Sequence, residues 1–170
     1  MIEIRSDAPD DYEAVRELHA RAFGGPAEGR LVDLLRAAGK AVVSLVAADQ
    51  HRVVGHILFS PVTVTEAPER FRAVGLAPIS VLPEWQHRGI GSTLVWHGLD
   101  ACRRQGCDAV VVLGHEKYYP RFGFVKATDF GLQNEYDAIE SFMAMELRGG
   151  ALKEIRGLVT YASEFRRAEC

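Results

Sequence analysis

The sequence predicts an α/β domain built on a mixed sheet, and three observations predict it. Two β-branched apolar runs, 42–48 and 53–59, are joined by Asp49-Gln50-His51-Arg52, a polar connection short enough for an antiparallel hairpin. The apolar run 76–82, the amphipathic run 93–105 and the apolar run 108–113 succeed one another as strand, helix and strand, a β-α-β unit over 76–113 whose strands run parallel. Third, 170 residues with 48% hydrophobic content suffice for one core, and no repeat, low-complexity stretch or linker divides the chain.

In order, Ile2-Glu3-Ile4-Arg5 alternates as a half-buried strand does, and Asp7 with Pro9 marks a helix start. Tyr12, Val15, Leu18, His19, Ala22 and Phe23 recur at helical spacing until Gly24-Gly25-Pro26 ends the helix. Leu31, Leu34, Leu35 and Ala38 form the stripe of a second helix stopped by Gly39. After the hairpin, 62–64 extends its second strand beyond Pro61, and 66–70 is an exposed turn. Pro78 interrupts the strand at 76–82; a residue with no N–H to give belongs at an edge or a bulge. Leu94, Val95, Leu99 and Cys102 share one face of the next helix, which closes at Arg103, Arg104 and Gln105 before Gly106. The segment 142–147 is read as the last strand. Gly149-Gly150 is where 149–170 could detach as a small C-terminal extension of a single 1–170 domain.

Between strand and central helix stands Gln86-His87-Arg88-Gly89-Ile90-Gly91-Ser92. A helix opening here leaves backbone N–H groups without intrahelical acceptors, and the helix dipole adds partial positive charge. Glycines at 89 and 91 take away the Cβ atoms that would keep a diphosphate from that backbone. A dinucleotide fingerprint would need Gly or Ala where Leu94 stands. A P-loop would need Ser or Thr after a Gly-Lys pair, and Gly39-Lys40 is followed by Ala41.

The segment resembles the Q/R-x-x-G-x-G/A signature of the GCN5-related N-acetyltransferases, met by Gln86, Gly89 and Gly91. Downstream, Tyr119-Pro120-Arg121-Phe122-Gly123-Phe124 is similar to the family's Y-x-x-x-G-F element. The wording of both stretches is most similar to the YhbS-like subgroup of that family, whose substrates are largely unassigned. The resemblance implies a strongly twisted mixed sheet of about six to seven strands flanked by helices and splayed between its fourth and fifth strands. It implies acetyl-CoA as co-substrate, with Gln86, His87, Arg88, Gly89, Ile90, Gly91 and Ser92 around the pyrophosphate. The main chain of Ile79, Ser80 and Val81 would lie along the pantetheine arm, with Tyr119 and Phe122 at the cofactor cleft.

For catalysis, the resemblance implies Tyr119 as the acid that protonates the departing thiolate, and the N–H of Val81 as the oxyanion donor. The base is open. Glu116 and His115 are the nearest groups and Glu84 a more distant one, with deprotonation through ordered water the preferred expectation. The implied function is transfer of acetyl from acetyl-CoA to a primary amine of an unidentified small molecule or peptide, by direct attack in a ternary complex. The alternative is a non-catalytic acyl-CoA sensor of the same fold. Loops 23–29, 65–72 and 130–137 would build the acceptor pocket, where Glu28, Glu66, Glu69, Glu135 and Asp137 would attract a cationic amine.

A net charge of −3 without a dense basic block argues against a nucleic-acid partner. The six histidines lack metal-ligand spacing, so no metal is expected, and Cys102, Cys107 and Cys170 form no C-x-x-C pair. No secretory pattern or membrane span is read, which makes the cytoplasm the expected address and a membrane partner unexpected. A homodimer stays open.

Overall fold

A computed structural model of the protein describes residues 1–170. Its strands are β1 (Ile2–Ser6), β2 (Val43–Asp49), β3 (Arg52–Val64), β4 (Ala73–Val81), β5 (Ala109–Leu113), β6 (Val125–Lys126), β7 (Leu132–Asn134), β8 (Phe142–Glu146) and β9 (Gly157–Tyr161). Its helices are α1 (Tyr12–Phe23), α2 (Ala27–Ala37), α3 (Ile90–Arg104) and α4 (Glu164–Arg167). The chain forms two compact units. The first holds Met1–Phe59, Ala77–Gly98 and Ser163–Cys170, and the second Ser60–Leu76 and Leu99–Ala162.

In the first unit β1, β2 and β3 form an antiparallel ladder. Only Gln50 and His51 separate β2 from β3, a tighter turn than the four-residue connection expected, and Gln50 takes φ +57 to make it. The register shifts between Ala47 and Ala48, which face Gly55 and Val53 and leave Val54 as the extra residue of a bulge. The freed Val54 carbonyl accepts the Leu82 N–H at 2.8 Å, which anchors the end of β4. Helix α1 stops at Gly24 in the left-handed conformation, φ +78, as its glycine implied. Of the expected α2 stripe, Leu31 and Leu35 are buried to 1% exposure or less, Leu34 is half-buried and Ala38 is exposed just past the helix end, while Val32, at 0%, completes the buried face.

In the second unit β4 and β5 are parallel, as the β-α-β reading required, and β5 pairs antiparallel with β8, which pairs with β6. The parallel ladder has three pairs, Ala73 with Ala109, Val74 with Val110 and Gly75 with Val111. Pairing stops there although β4 runs on to Val81 and β5 to Leu113. Pro78 lies in that continuing stretch of β4.

Strand β8 is not the last strand. Beyond Gly149-Gly150 the chain forms β9, antiparallel to the end of β3 and parallel to β7. Nine strands are present where six to seven were expected, because β6, β7 and β9 were too short or irregular to stand out. No helix is long and apolar enough to cross a membrane, and no group of His, Cys, Asp and Glu side chains is placed to hold a metal ion.

Candidate active site

The glycine turn is built from both its ends. From Val81 the chain makes a 3₁₀ turn, Pro83–Trp85, before α3 begins at Ile90. The Gln86 side-chain amide donates to the Val81 carbonyl at 3.0 Å, so this motif residue ties the turn to the strand end. The Arg88 guanidinium donates back to Glu84 O at 3.1 Å and lies 4.7 Å over the Trp85 ring. His87 and Gly89 take φ +64 and +81, and a Cβ built on Gly89 meets no atom within 4 Å, so the space beside that residue is open.

The Gly89 carbonyl is fixed by Thr93, whose N–H and hydroxyl donate to it at 3.0 and 2.9 Å. A helix start such as the one opening at Ile90 is where outward-facing backbone amides can meet an anion. Of the residues expected there, His87, Arg88 and Gly89 are exposed, while Gly91 and Ser92 are half-buried. Ile90 turns its side chain into the core at 5% exposure and offers the outside only backbone. On β4, Ile79 and Val81 are half-buried and Ser80 is buried.

The second unit holds the remaining expected residues. Tyr119 and Phe122 sit on a 3₁₀ turn, Tyr119–Phe122, that ends at Gly123 with φ +106. Tyr119 is 7% exposed, and burial, with Tyr118 beside it, pushes its phenol up to about 12; it stays protonated at neutral pH, as a donor must. Its ring meets Tyr118 at 5.1 Å and Phe124 at 5.6 Å, and Phe122, 3% exposed, completes the aromatic cluster. His115 and Glu116 are exposed in the turn after β5.

Glu84 belongs to the first unit, where Arg21 at 2.8 Å and Arg52 at 3.0 Å clasp its carboxylate. The Arg21 hydrogen bond, with the charges of both arginines, holds it near 2, too weak a base for an amine. Among the acidic residues assigned to the acceptor loops, Glu135 is engaged by the Tyr161 N–H at 2.9 Å.

One constellation went unread in the sequence. His19, on α1, and His56, on β3, are each 0% exposed, and His19 Nε2 lies 2.9 Å from His56 Nδ1. Ser80 Oγ is 2.7 Å from His19 Nδ1, and Ser44 Oγ is 2.8 Å from His56 Nε2. Ser44 donates to Asp7 at 2.6 Å, and Arg36 also bonds that carboxylate. Burial, then each other's presence and Arg36, lower His19 to about 2; burial likewise lowers His56 against the pull of Asp7. Burial would raise Asp7, but His56, Ser44 and Arg36 outweigh it and hold the carboxyl at about 2. A lone histidine in a helical stripe gives no warning of this, because its partners come from distant elements.

A parallel β4–β5 pairing that stops early, with a glycine turn between β4 and α3, places the chain in a known class. The chain belongs to the acetyltransferase (GNAT) family, whose model matches residues 12–124. It is 37% identical over 166 residues to the uncharacterized N-acetyltransferase YhbS of Escherichia coli strain K12, covering 96% of this chain and 98% of the relative. The crystal structure of Escherichia coli YhbS in complex with CoA matches with a TM-score of 0.92 at 36% identity, over 98% of this chain and 92% of that one. A GNAT family acetyltransferase from Brucella melitensis in complex with acetyl-CoA matches with a TM-score of 0.81 at 35% identity, over 97% and 98% of the two chains.

Proposed function

We propose that this protein is an N-acetyltransferase that moves the acetyl group of acetyl-CoA to a primary amine by direct attack in a ternary complex. The observation that carries the proposal is the turn between β4 and α3: Gln86 tied to Val81, a left-handed Gly89 beside open space, and helix-start amides for the pyrophosphate. The CoA and acetyl-CoA complexes of the two structural relatives support that assignment.

In this reading the amides of residues 88–92 hold the diphosphate, and the pantetheine arm pairs with the main chain of Ile79, Ser80 and Val81, in the stretch of β4 that β5 no longer pairs. Phe122 lines the cofactor cleft. The amine nitrogen attacks the thioester carbonyl, the Val81 N–H stabilises the oxyanion, and the neutral Tyr119 phenol protonates the departing thiolate. Glu116 is the carboxylate nearest in sequence that could receive the amine proton through water. The cytoplasm, where acetyl-CoA is available, is the proposed setting.

Thiol release from acetyl-CoA against a panel of primary amines tests the reaction, and calorimetry with CoA against ADP tests the pantetheine contribution. Turnover with at least one amine and a clear preference for CoA are expected; equal affinity for ADP and no thiol release overturn the proposal. The second reading, a non-catalytic acyl-CoA sensor, draws on one observation: Glu84 is neutralised by arginines and Glu116 stands exposed. It predicts tight CoA binding without thiol release.

A further inference from the structure

The turn between β4 and α3 is bent against the preference of its own residues. His87 stands in the left-handed region at φ +64, a conformation its Cβ makes costly, and Gly89 follows at +81. Such a bend persists only where its flanks are fixed. Gln86, just before His87, is tied through its side-chain amide to Val81 O at 3.0 Å, and Arg88, just after it, through its guanidinium to Glu84 O at 3.1 Å. Both ties close on the short stretch 81–84, so the bend is only as firm as that stretch.

Two elements from elsewhere in the first unit hold it. Within β3, Val54 O accepts the Leu82 N–H at 2.8 Å. Arg21, in the last turn of α1, lays its guanidinium across the Glu84 carboxylate, with Nη1 3.0 Å from Oε1 and Nη2 2.8 Å from Oε2. Arg52, the first residue of β3, adds its Nη2 at 3.0 Å from Oε1. The carboxylate thus accepts three N–H groups from residues 63 and 32 positions away, and it is charged throughout the neutral range. An isolated exposed ion pair contributes little, because two long side chains must be ordered to make it. Here the Arg21 fork meets both oxygens, a second arginine shares one of them, and the carboxylate belongs to the piece of chain on which the bend closes.

We propose that Glu84 is a positioning residue for the cofactor: gripped by Arg21 and Arg52, it holds the left-handed bend at His87 and presents the turn to the diphosphate already in its binding shape. A loop ordered before its ligand arrives need not be ordered by it, and the affinity is higher by the difference. The inference rests on the acetyl-CoA binding part of the reading above and not on the transfer that follows.

The sign of the charge separates positioning from a field effect. Glu84 is negative and stands in a turn that meets a diphosphate, so by charge alone it repels the ligand. Its neutralisation would leave Arg21 and Arg52 to attract that ligand more strongly. A positioning role predicts the reverse, weaker binding in spite of the more favourable charge.

The test measures CoA affinity by calorimetry at low salt and at about 1 M salt, for the full chain as wild type, Glu84→Gln, Arg21→Gln and the double variant. Glu84→Gln is expected to weaken CoA binding about fivefold at low salt, the upper end for exposed ion pairs, with the loss appearing in KM for acetyl-CoA rather than in kcat. At high salt, where such pairs are screened, wild type and variant converge. The double variant loses less than the two single losses combined, since either change opens the same clamp. A Glu84→Gln protein that binds CoA as tightly as wild type, or more tightly, overturns the clamp. Losses that add across the two positions, or that persist undiminished at high salt, overturn it as well. A wild type that binds CoA no better than ADP overturns the cofactor reading and the clamp together. A wild type that binds CoA and acetylates no amine overturns the transferase reading and leaves the clamp standing.

Discussion

Gly114 sets where the Tyr119 ring lies. A Cβ on Gly114 would overlap Tyr119 Cε2 and stand 3.0 Å from Cδ2, and the Gly114 N–H is committed to Ser141 O at 3.0 Å, so the ring must move rather than the backbone. If Tyr119 is the acid proposed above, Gly114→Ala is expected to lower kcat at least about tenfold, since a small misplacement of such a group is costly, while CoA affinity measured by calorimetry stays near wild type. Tyr119→Phe takes away the proton and leaves the packing. Its expected effect is a kcat reduced about a hundredfold with little change in KM for acetyl-CoA, and an unchanged kcat would remove Tyr119 from the chemistry. At this scale the glycine turn and Tyr119 were legible because their spacing is local. His19, Ser80, His56, Ser44 and Asp7 were not, because each gains its meaning from a partner on another element.

Helix α3 shows how an element is specified and how it fails. Leu94, Val95, Leu99 and Cys102 are all 0% exposed, the face that periodicity predicted. On the same helix Gly98 lets the fully buried Phe59 approach: a Cβ there would overlap Phe59 Cε1 and lie 2.8 Å from Cζ. Gly98→Ala gains about 1 kcal/mol of helix propensity. Against it stands overpacking of about 1–3 kcal/mol beside a ring with no room to yield, and overpacking is expected to win. A urea midpoint below that of wild type, with an unchanged slope, is the expected result; a higher midpoint would mean the Phe59 ring can turn aside. The long elements were readable from their periods. Strands β6, β7 and β9 were not, because two to five residues carry no period and their pairing comes from far along the chain.

For the molecule as a whole, the buried histidine pair makes stability depend on pH. An unfolded histidine takes up its proton near 6.5, whereas His19 resists until about 2 and His56 is lowered as well, so the unfolded state binds more protons below pH 6.5. Their stabilising contribution is complete above 6.5 and is lost as the pH falls below it, by up to about 1.4 kcal/mol per pH unit for each ring. Asp7, held near 2, adds a loss of the same sign below its unfolded value of 3.8. Urea midpoints are therefore expected to fall steadily from pH 7 to pH 4.5. A flat profile over that range would show that the rings already carry protons in the folded state. The mixed sheet and its parallel β4–β5 pair were legible from the order of apolar and amphipathic runs. Where that pair stops was not, because an end of pairing leaves no mark in composition.

The pairing of β9 with both β3 and β7 also has a consequence for synthesis. Gly157–Tyr161 leaves the ribosome after every strand it joins, so the nascent chain carries the far end of β3 and all of β7 with unfilled hydrogen-bonding edges. Such edges are templates for wrong partners. The interval before β9 emerges is when this chain is most exposed to aggregation and has most need of a chaperone.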